Sequence, residues 1–336
     1  MTRVAVIGAG SWGTAAAAIL TKHAEVTLWA RDDALARTIQ RVHVNPRYLP
    51  GIALPETLCA SSDLVGTCTG ADVIVVAVPS HGFRDVLTAA ASAIPDDVPV
   101  LSLSKGVEQQ THLRMTEVVS DVLPTHSRER IGVLTGPNLA REVAEAQPTA
   151  SVIAMRDPDT AEELQRLFMT STFRVYTNPD VVGCEIAGAL KNVIAIAAGI
   201  AAGLGYGDNT KAALITRGLA ELARLGVALG GEPLTFSGLA GMGDLVATCT
   251  SEKSRNRHVG VELGRGRKLD DIVAETHMVA EGVKSTAAVL ALARAHSIEM
   301  PIAELVGAVL YEGATPADLV PSLMVRQAKA ELDGIR

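Results

Sequence analysis

The chain has 336 residues, 48% hydrophobic and 20% charged, a globular mixture that excludes wholesale disorder. Its 30 Lys+Arg against 37 Asp+Glu give a formal charge of −7, so it lacks the basic surface of a general nucleic-acid binder. A small anion is still possible, because two or three placed cations can hold a phosphate within an acidic protein. At about 150 residues per domain the length predicts two domains. The four cysteines, Cys59, Cys68, Cys184 and Cys249, form no CxxC pair, and no zinc-ligand spacing is visible. A reduced, cytoplasmic protein without a metal is therefore expected. The N-terminus reaches Gly8 too soon for the apolar core of a signal peptide. The longest uncharged apolar stretch, 193–205, falls short of the ~20 residues of a membrane span.

In chain order, β-branched runs predict strands at 4–7, 26–29, 73–78, 100–103, 131–134 and 151–154. Helical patterning lies between several of them, as at 15–23 and 83–93. Such alternation predicts a parallel sheet covered on both faces. A last short strand is expected at 174–176, and from about Gly183 the strand signal disappears. Ala-rich helical runs follow at 185–202 and 211–229, around Ile272, and at 287–296.

The chain opens with Gly8-Ala9-Gly10-Ser11-Trp12-Gly13, a GxGxxG directly after the first strand and before an Ala-rich helix. The first glycine serves the tight turn, the second lets the backbone approach a pyrophosphate, and the third permits close helix–strand contact. The following helix offers unpaired amide groups and a positive dipole end to the phosphates. The fold class expected is therefore α/β: a doubly wound Rossmann domain over residues 1–182 that binds a dinucleotide, then an all-α domain over 183–336. After the second strand the chain reads Arg31-Asp32. An acid there suits the ribose 2′-OH of NAD, an arginine the 2′-phosphate of NADP. Arg31 stands nearer the strand end, so the reading leans to NADP(H) over NAD(H).

The second half carries Gly188-Ala189-Leu190-Lys191-Asn192. On a helix Lys191 shares its face with Cys184, Ala187, Gly188, Ile194, Ala195 and Ala198, none of them acidic. A lysine so placed is either desolvated, lowering its pKa towards proton donation near neutrality, or snorkels to the surface. Asn192 beside it is a helix-interior hydrogen-bonder or a substrate contact. Three further clusters could converge on Lys191: Ser104-Lys105-Gly106 after a strand, Gly136-Pro137-Asn138-Leu139-Ala140-Arg141-Glu142 after the next, and Gly241-Met242-Gly243-Asp244 with Ser254-Arg255-Asn256. Pro137 suits the first position of a helix, and Asp244 would by default be an N-cap. Ser254, Arg255 and Asn256 together offer the donors a phosphate monoester requires.

These motifs, with Val279-Ala280-Glu281-Gly282, occur in this order from residue 8 to residue 282, and on them the whole chain resembles the bacterial-type NAD(P)-dependent glycerol-3-phosphate dehydrogenases. The resemblance implies that Lys191 is the catalytic acid/base and Asp244 its polar neighbour. Lys105, Gly136, Asn138 and Asn192 would contact substrate, with Ser254, Arg255 and Asn256 around its phosphate. Gly8, Gly10, Ser11, Trp12, Gly13, Arg31, Lys105, Ala140, Arg255, Val279 and Glu281 would line the dinucleotide. The implied reaction is reversible reduction of dihydroxyacetone phosphate to sn-glycerol 3-phosphate, the backbone precursor of phospholipids, without metal; a homodimer is expected because an Ala/Gly-rich helical domain often pairs with itself. A related 2-hydroxyacid or sugar-acid dehydrogenase is the enzymatic alternative, and a non-catalytic NAD(P)H sensor the other.

Overall fold

A strand buried on both faces reads as an unbroken apolar run, and the chain begins with one, β1 (Arg3–Ile7), in the computed structural model, which describes residues 1–275 and 280–328. The chain divides into two compact units. One comprises Met1–Ser104 and Met115–Val181, the other Lys105–Arg114 and Val182–Arg336.

In the first unit β2 (Glu25–Trp29) pairs parallel with β1. A short hairpin, β3 (Val44–Asn45) and β4 (Leu49–Ala53), stands apart from the main sheet. The remaining strands are β5 (Cys59–Ser61), β6 (Val73–Val76), β7 (Val100–Ser102), β8 (Ile131–Thr135), β9 (Thr149–Ala154) and β10 (Phe173–Asn178). The main sheet has eight strands in the order β10-β9-β8-β7-β6-β1-β2-β5. It is parallel from β5 to β8, but β9 pairs antiparallel with β8, and β10 runs with β9. The expected parallel sheet runs from β5 to β8, and its edge departs from it, because a buried apolar run carries no direction. The helices of this unit are α1 (Ser11–Leu20), α2 (Asp33–Val42), α3 (Leu64–Cys68), α4 (Phe83–Ala90), α5 (Met115–Val122), α6 (Ala140–Ala144) and α7 (Pro158–Phe168). Pro137 lies ahead of α6, whose N-cap is Leu139, so it does not open that helix.

The second unit is helical: α8 (Val181–Gly203), α9 (Asp208–Ala228), α10 (Asp244–Thr250), α11 (Arg255–Gly264), α12 (Leu269–Glu275), α13 (Glu281–Ala295), α14 (Pro301–Tyr311) and α15 (Leu319–Met324). A π-helical turn, Leu239–Gly243, leads into α10. Helix α8 is apolar over most of its surface because it runs through the core, where Ile186, Leu190, Val193, Ile196 and Ile200 are all buried. It is long and apolar enough to cross a membrane, yet 89% of its most apolar window is buried inside the protein. The N-terminus of α14 is held by the buried Glu221 carboxylate of α9, which accepts from Ile302 N at 2.7 Å and Ala303 N at 3.2 Å.

Candidate functional site

In the sheet unit the glycine loop follows β1 directly. Gly8 has φ +119°, a region closed to most L side chains, and a Cβ there would lie 2.7 Å from Ala77 O. A Cβ on Gly13 would come to 2.0 Å from Gly8 O, whereas one on Gly10 meets nothing within 4 Å. The loop is thus closed where it must be tight and open at its middle glycine, as a pyrophosphate cradle requires. No side chain caps α1, so its first-turn amides, from Ser11, Trp12 and Gly13, point out of the helix end. The Trp12 ring packs against Phe173, with centroids 6.2 Å apart. Buried Asn45 steadies the loop, donating to Ala9 O at 2.9 Å and Thr14 Oγ1 at 2.8 Å, and Ser11 Oγ donates to Tyr48 O at 2.6 Å. Asn45 escaped the sequence reading, because its role depends on a hairpin that carries no motif.

At the end of β2, Asp32 is the N-cap of α2, accepting from Leu35 N at 3.1 Å, and pairs with Arg47 at 3.5 Å. Arg31 beside it is exposed. Gly136 has φ +133° and packs on Ser151. The Asn138 amide donates to Ser151 Oγ at 3.3 Å, so it helps hold the turn beyond β8, and Ala140 opens α6.

In the helical unit three segments converge. Lys191 is 6% exposed, yet its ammonium is paired: it donates to Asp244 Oδ1 and, at 2.8 Å, to Thr248 Oγ1. The absence of an acid on the face that Lys191 shares concerned its own helix alone; the partner, the Asp244 that the resemblance implied, comes from α10. Asp244 is not an N-cap either, since Gly243 occupies that position and α10 begins at Asp244. Its second oxygen accepts from Lys105 Nζ at 2.7 Å. One buried carboxylate thus sits between two ammonium groups. Burial pushes Lys105 down to about 8 against the pull of Asp244, and the Lys191 charge adds to the lowering. Burial likewise pushes the Cys249 thiol up to about 12, which removes it as a nucleophile. Thr248 had no sequence signal beyond lying one helical turn after Asp244.

A polar chain continues from this centre. Asn192 Nδ2 donates to Lys105 O at 3.3 Å, and Asn256 Nδ2 donates to Asn192 Oδ1 at 2.8 Å. Asn256 Oδ1 in turn accepts from Gly282 N at 2.9 Å, beside Glu281 at the start of α13. Ser254 is the N-cap of α11, accepting from Arg257 N at 3.2 Å, and Arg255 is exposed in that helix's first turn. Lys105, Lys191, Asn192, Asp244 and Asn256 are therefore linked within one unit, where Glu281 precedes Gly282 at the start of α13, while Gly136, Asn138 and Ala140 belong to the other. Val279 lies outside the described residues.

A nucleotide cradle on a parallel-dominated sheet and a separate helical unit with a buried lysine–carboxylate centre define a two-unit dinucleotide-dependent dehydrogenase. Comparison with known proteins gives the particular family. Residues 3–161 match the NAD-dependent glycerol-3-phosphate dehydrogenase N-terminus and residues 180–321 its C-terminus. The chain is 56% identical over 96% of its length to the glycerol-3-phosphate dehydrogenase [NAD(P)+] 2 of Sphingopyxis alaskensis, covering 96% of that protein. It is 52% identical to the Thermobifida fusca glycerol-3-phosphate dehydrogenase [NAD(P)+], over 100% of both chains. A crystal structure of glycerol-3-phosphate dehydrogenase from Coxiella burnetii superposes with a TM-score of 0.92 at 40% identity, over 97% of this chain and 99% of that one. This chain belongs to the NAD-dependent glycerol-3-phosphate dehydrogenase family.

Proposed function

We propose that the chain catalyses the reversible NAD(P)H-dependent reduction of dihydroxyacetone phosphate to sn-glycerol 3-phosphate. The observation that carries this reading is the buried group of Lys105, Asp244, Lys191 and Thr248. Bound NAD(P)H supplies a hydride for the carbonyl carbon. Negative charge then grows on the carbonyl oxygen, and two ammonium groups sharing one carboxylate leave this centre net positive, ready to stabilise it. Lys191 gives the oxygen its proton and afterwards regains one from solvent. Asp244 and Thr248 hold the Lys191 ammonium in a single orientation, so little reorganisation is needed at the moment of transfer. Arg255, exposed at the first turn of α11, takes the substrate phosphate as a bidentate donor. Ser254 and Asn256 act beside it chiefly as supports, since capping and the Asn192 contact engage their side chains.

For the coenzyme, the N-cap and ion-pair duties of Asp32 favour Arg31 as the ribose-side contact, and hence NADP(H) over NAD(H). The product suits supply of the glycerophospholipid backbone. A cytoplasmic location accords with four cysteines that form no disulfide, and a homodimer is the expected assembly, to be read by light scattering. Steady-state rates with NADPH and NADH test the whole reading: dihydroxyacetone phosphate should turn over rapidly and unphosphorylated dihydroxyacetone hardly at all. Equal rates on both substrates would remove the phosphate subsite, and no turnover of either would remove the function.

A further inference from the structure

The chain leaves the sheet unit after Ser104, contributes Lys105–Arg114 to the helical unit, and returns at Met115. Lys105 therefore belongs to the helical unit although its sequence neighbours on the N-terminal side do not. A ten-residue excursion does not hold a lysine on a buried carboxylate unless something fixes the excursion itself.

Four contacts do so. An antiparallel backbone bridge joins Val107 to Arg114, reinforced by Glu108 N donating to Leu113 O at 3.0 Å, so the segment closes on itself. Val107 is 1% exposed and forms part of the helical core. At the far end Arg114 Nη1 meets Glu185 Oε2 of α8 at 2.9 Å, and the Glu185 side chain is only 2% exposed. Gln109 Nε2 adds a bond to Lys284 O at 2.8 Å. Through the bridge, fixing Arg114 fixes Val107, two residues from Lys105.

We propose that Arg114 and Glu185 are positioning residues: their buried ion pair clamps the Lys105–Arg114 segment onto α8, and so holds the Lys105 ammonium against Asp244. This rests on the proposed dehydrogenase reading for its kinetic consequence but not for its geometry. The pair sits at the Arg114 end of the segment, and the Val107–Arg114 backbone bridge carries its hold towards Lys105. The choice of a buried pair is itself informative, because two charges inside a protein are weak evidence of stabilisation and better suited to fixing a register.

The test is the double variant Arg114→Leu with Glu185→Leu, which removes both charges together so that neither is left buried without the other. Two readouts are taken on the intact protein. Native-state amine acylation, mapped by mass spectrometry, should modify Lys105 faster than in wild type while surface lysines such as Lys22 and Lys268 keep their rates. Turnover of dihydroxyacetone phosphate at saturating coenzyme should fall about 100-fold, the loss expected when a catalytic group is misplaced by about 1 Å. A merely structural pair would lower the melting temperature and leave both readouts where they were, and that result overturns the proposal. If the double variant does not fold, Arg114→Lys, which keeps the charge but loses the planar fork, carries the same two readouts and the same criterion. Since acylation needs no turnover, failure of the dehydrogenase reading would show in the wild-type assay alone and leave the clamp separately judged.

Discussion

Asp244 is the residue on which the site's electrostatics turn, because Lys105 and Lys191 both donate to its carboxylate. Replacing Lys191 by Met keeps the bulk of the side chain but removes the proton. General acid catalysis typically contributes 10²–10⁴-fold, so Lys191→Met should lose turnover by about that factor while still binding NADPH, as titrated by fluorescence. Retention of more than about a tenth of wild-type kcat would refute the role. Lys105 gives a pH signature of its own. Below about 8 it is charged and the trio is net positive; above that value the ammonium is lost and the oxyanion loses support. The kcat/KM for reduction should therefore fall above about pH 8. Stability should move the other way: with the unfolded value at 10.5, the unfolded chain binds more protons between about 8 and 10.5, so folding strengthens as pH rises through that window. Activity lost while the urea midpoint rises would identify Lys105; the two falling together would mean alkaline unfolding instead. Arg31 supplies a third measurement. If it holds a 2′-phosphate, Arg31→Ala should raise KM for NADPH about 10- to 150-fold, the range of one charged hydrogen bond, and spare NADH. Equal changes with both coenzymes would make it an adenine contact.

Between helices, the decisive feature is how closely α8 and α11 approach. A Cβ on Gly260 would lie 2.1 Å from Ile196 O, and one on Gly199 2.2 Å from Arg257 O. Gly203 and Gly264 repeat the arrangement one turn further along, at 2.3 Å from Val261 O and 2.5 Å from Ile200 O. Backbone carbonyls cannot move aside as a flexible side chain can. Gly260→Ala should therefore push α11, with Arg255 and Asn256, away from Lys191 and Asn192, and break the 2.8 Å Asn256–Asn192 bond. Overpacking of this kind costs about 1–3 kcal/mol. The variant should melt earlier and lose kcat/KM for dihydroxyacetone phosphate; an unchanged melting curve would show that the helices have room. The same level shows what the sequence could carry. The GxGxxG was legible because its glycines keep a fixed spacing between a strand and a helix, even though Gly8 also answers to Ala77 across the sheet. The apolar character of α8 was legible because it is a property of one helix. The Lys191–Asp244 pair came only through the family resemblance, since its partners lie 53 positions apart and spacing along α8 does not say which helix faces it. The reversal at β9 and β10 was not legible, nor was the support Asn45 gives the glycine loop, because both depend on which segments become neighbours.

For the molecule as a whole, the helical unit is not one continuous piece of chain. Its sequence after Val182 lacks Val107, which completes part of its core, and Arg114, the partner of Glu185. It also lacks Lys105, one of the two cations on Asp244. Breaking a buried ion pair by removing one partner costs about 3–5 kcal/mol, against a total stability of about 5–15 kcal/mol for a typical protein. Glu185 left without Arg114, together with a gap in the core, takes up much of that margin. Residues 182–336 expressed alone should accordingly show helical circular dichroism without a cooperative thermal transition. Restoring Lys105–Arg114 should repair this. The segment can be joined ahead of Val182 by a Gly/Ser linker long enough to span the two side chains, since the tips of Arg114 and Glu185 meet at 2.9 Å. That rearranged chain should regain a single sharp melt, while a control linker of equal length without residues 105–114 should not. A cooperative transition in the unmodified fragment would mean that the helical unit is complete without the segment, and that Lys105 reaches Asp244 as a guest and not as a structural member.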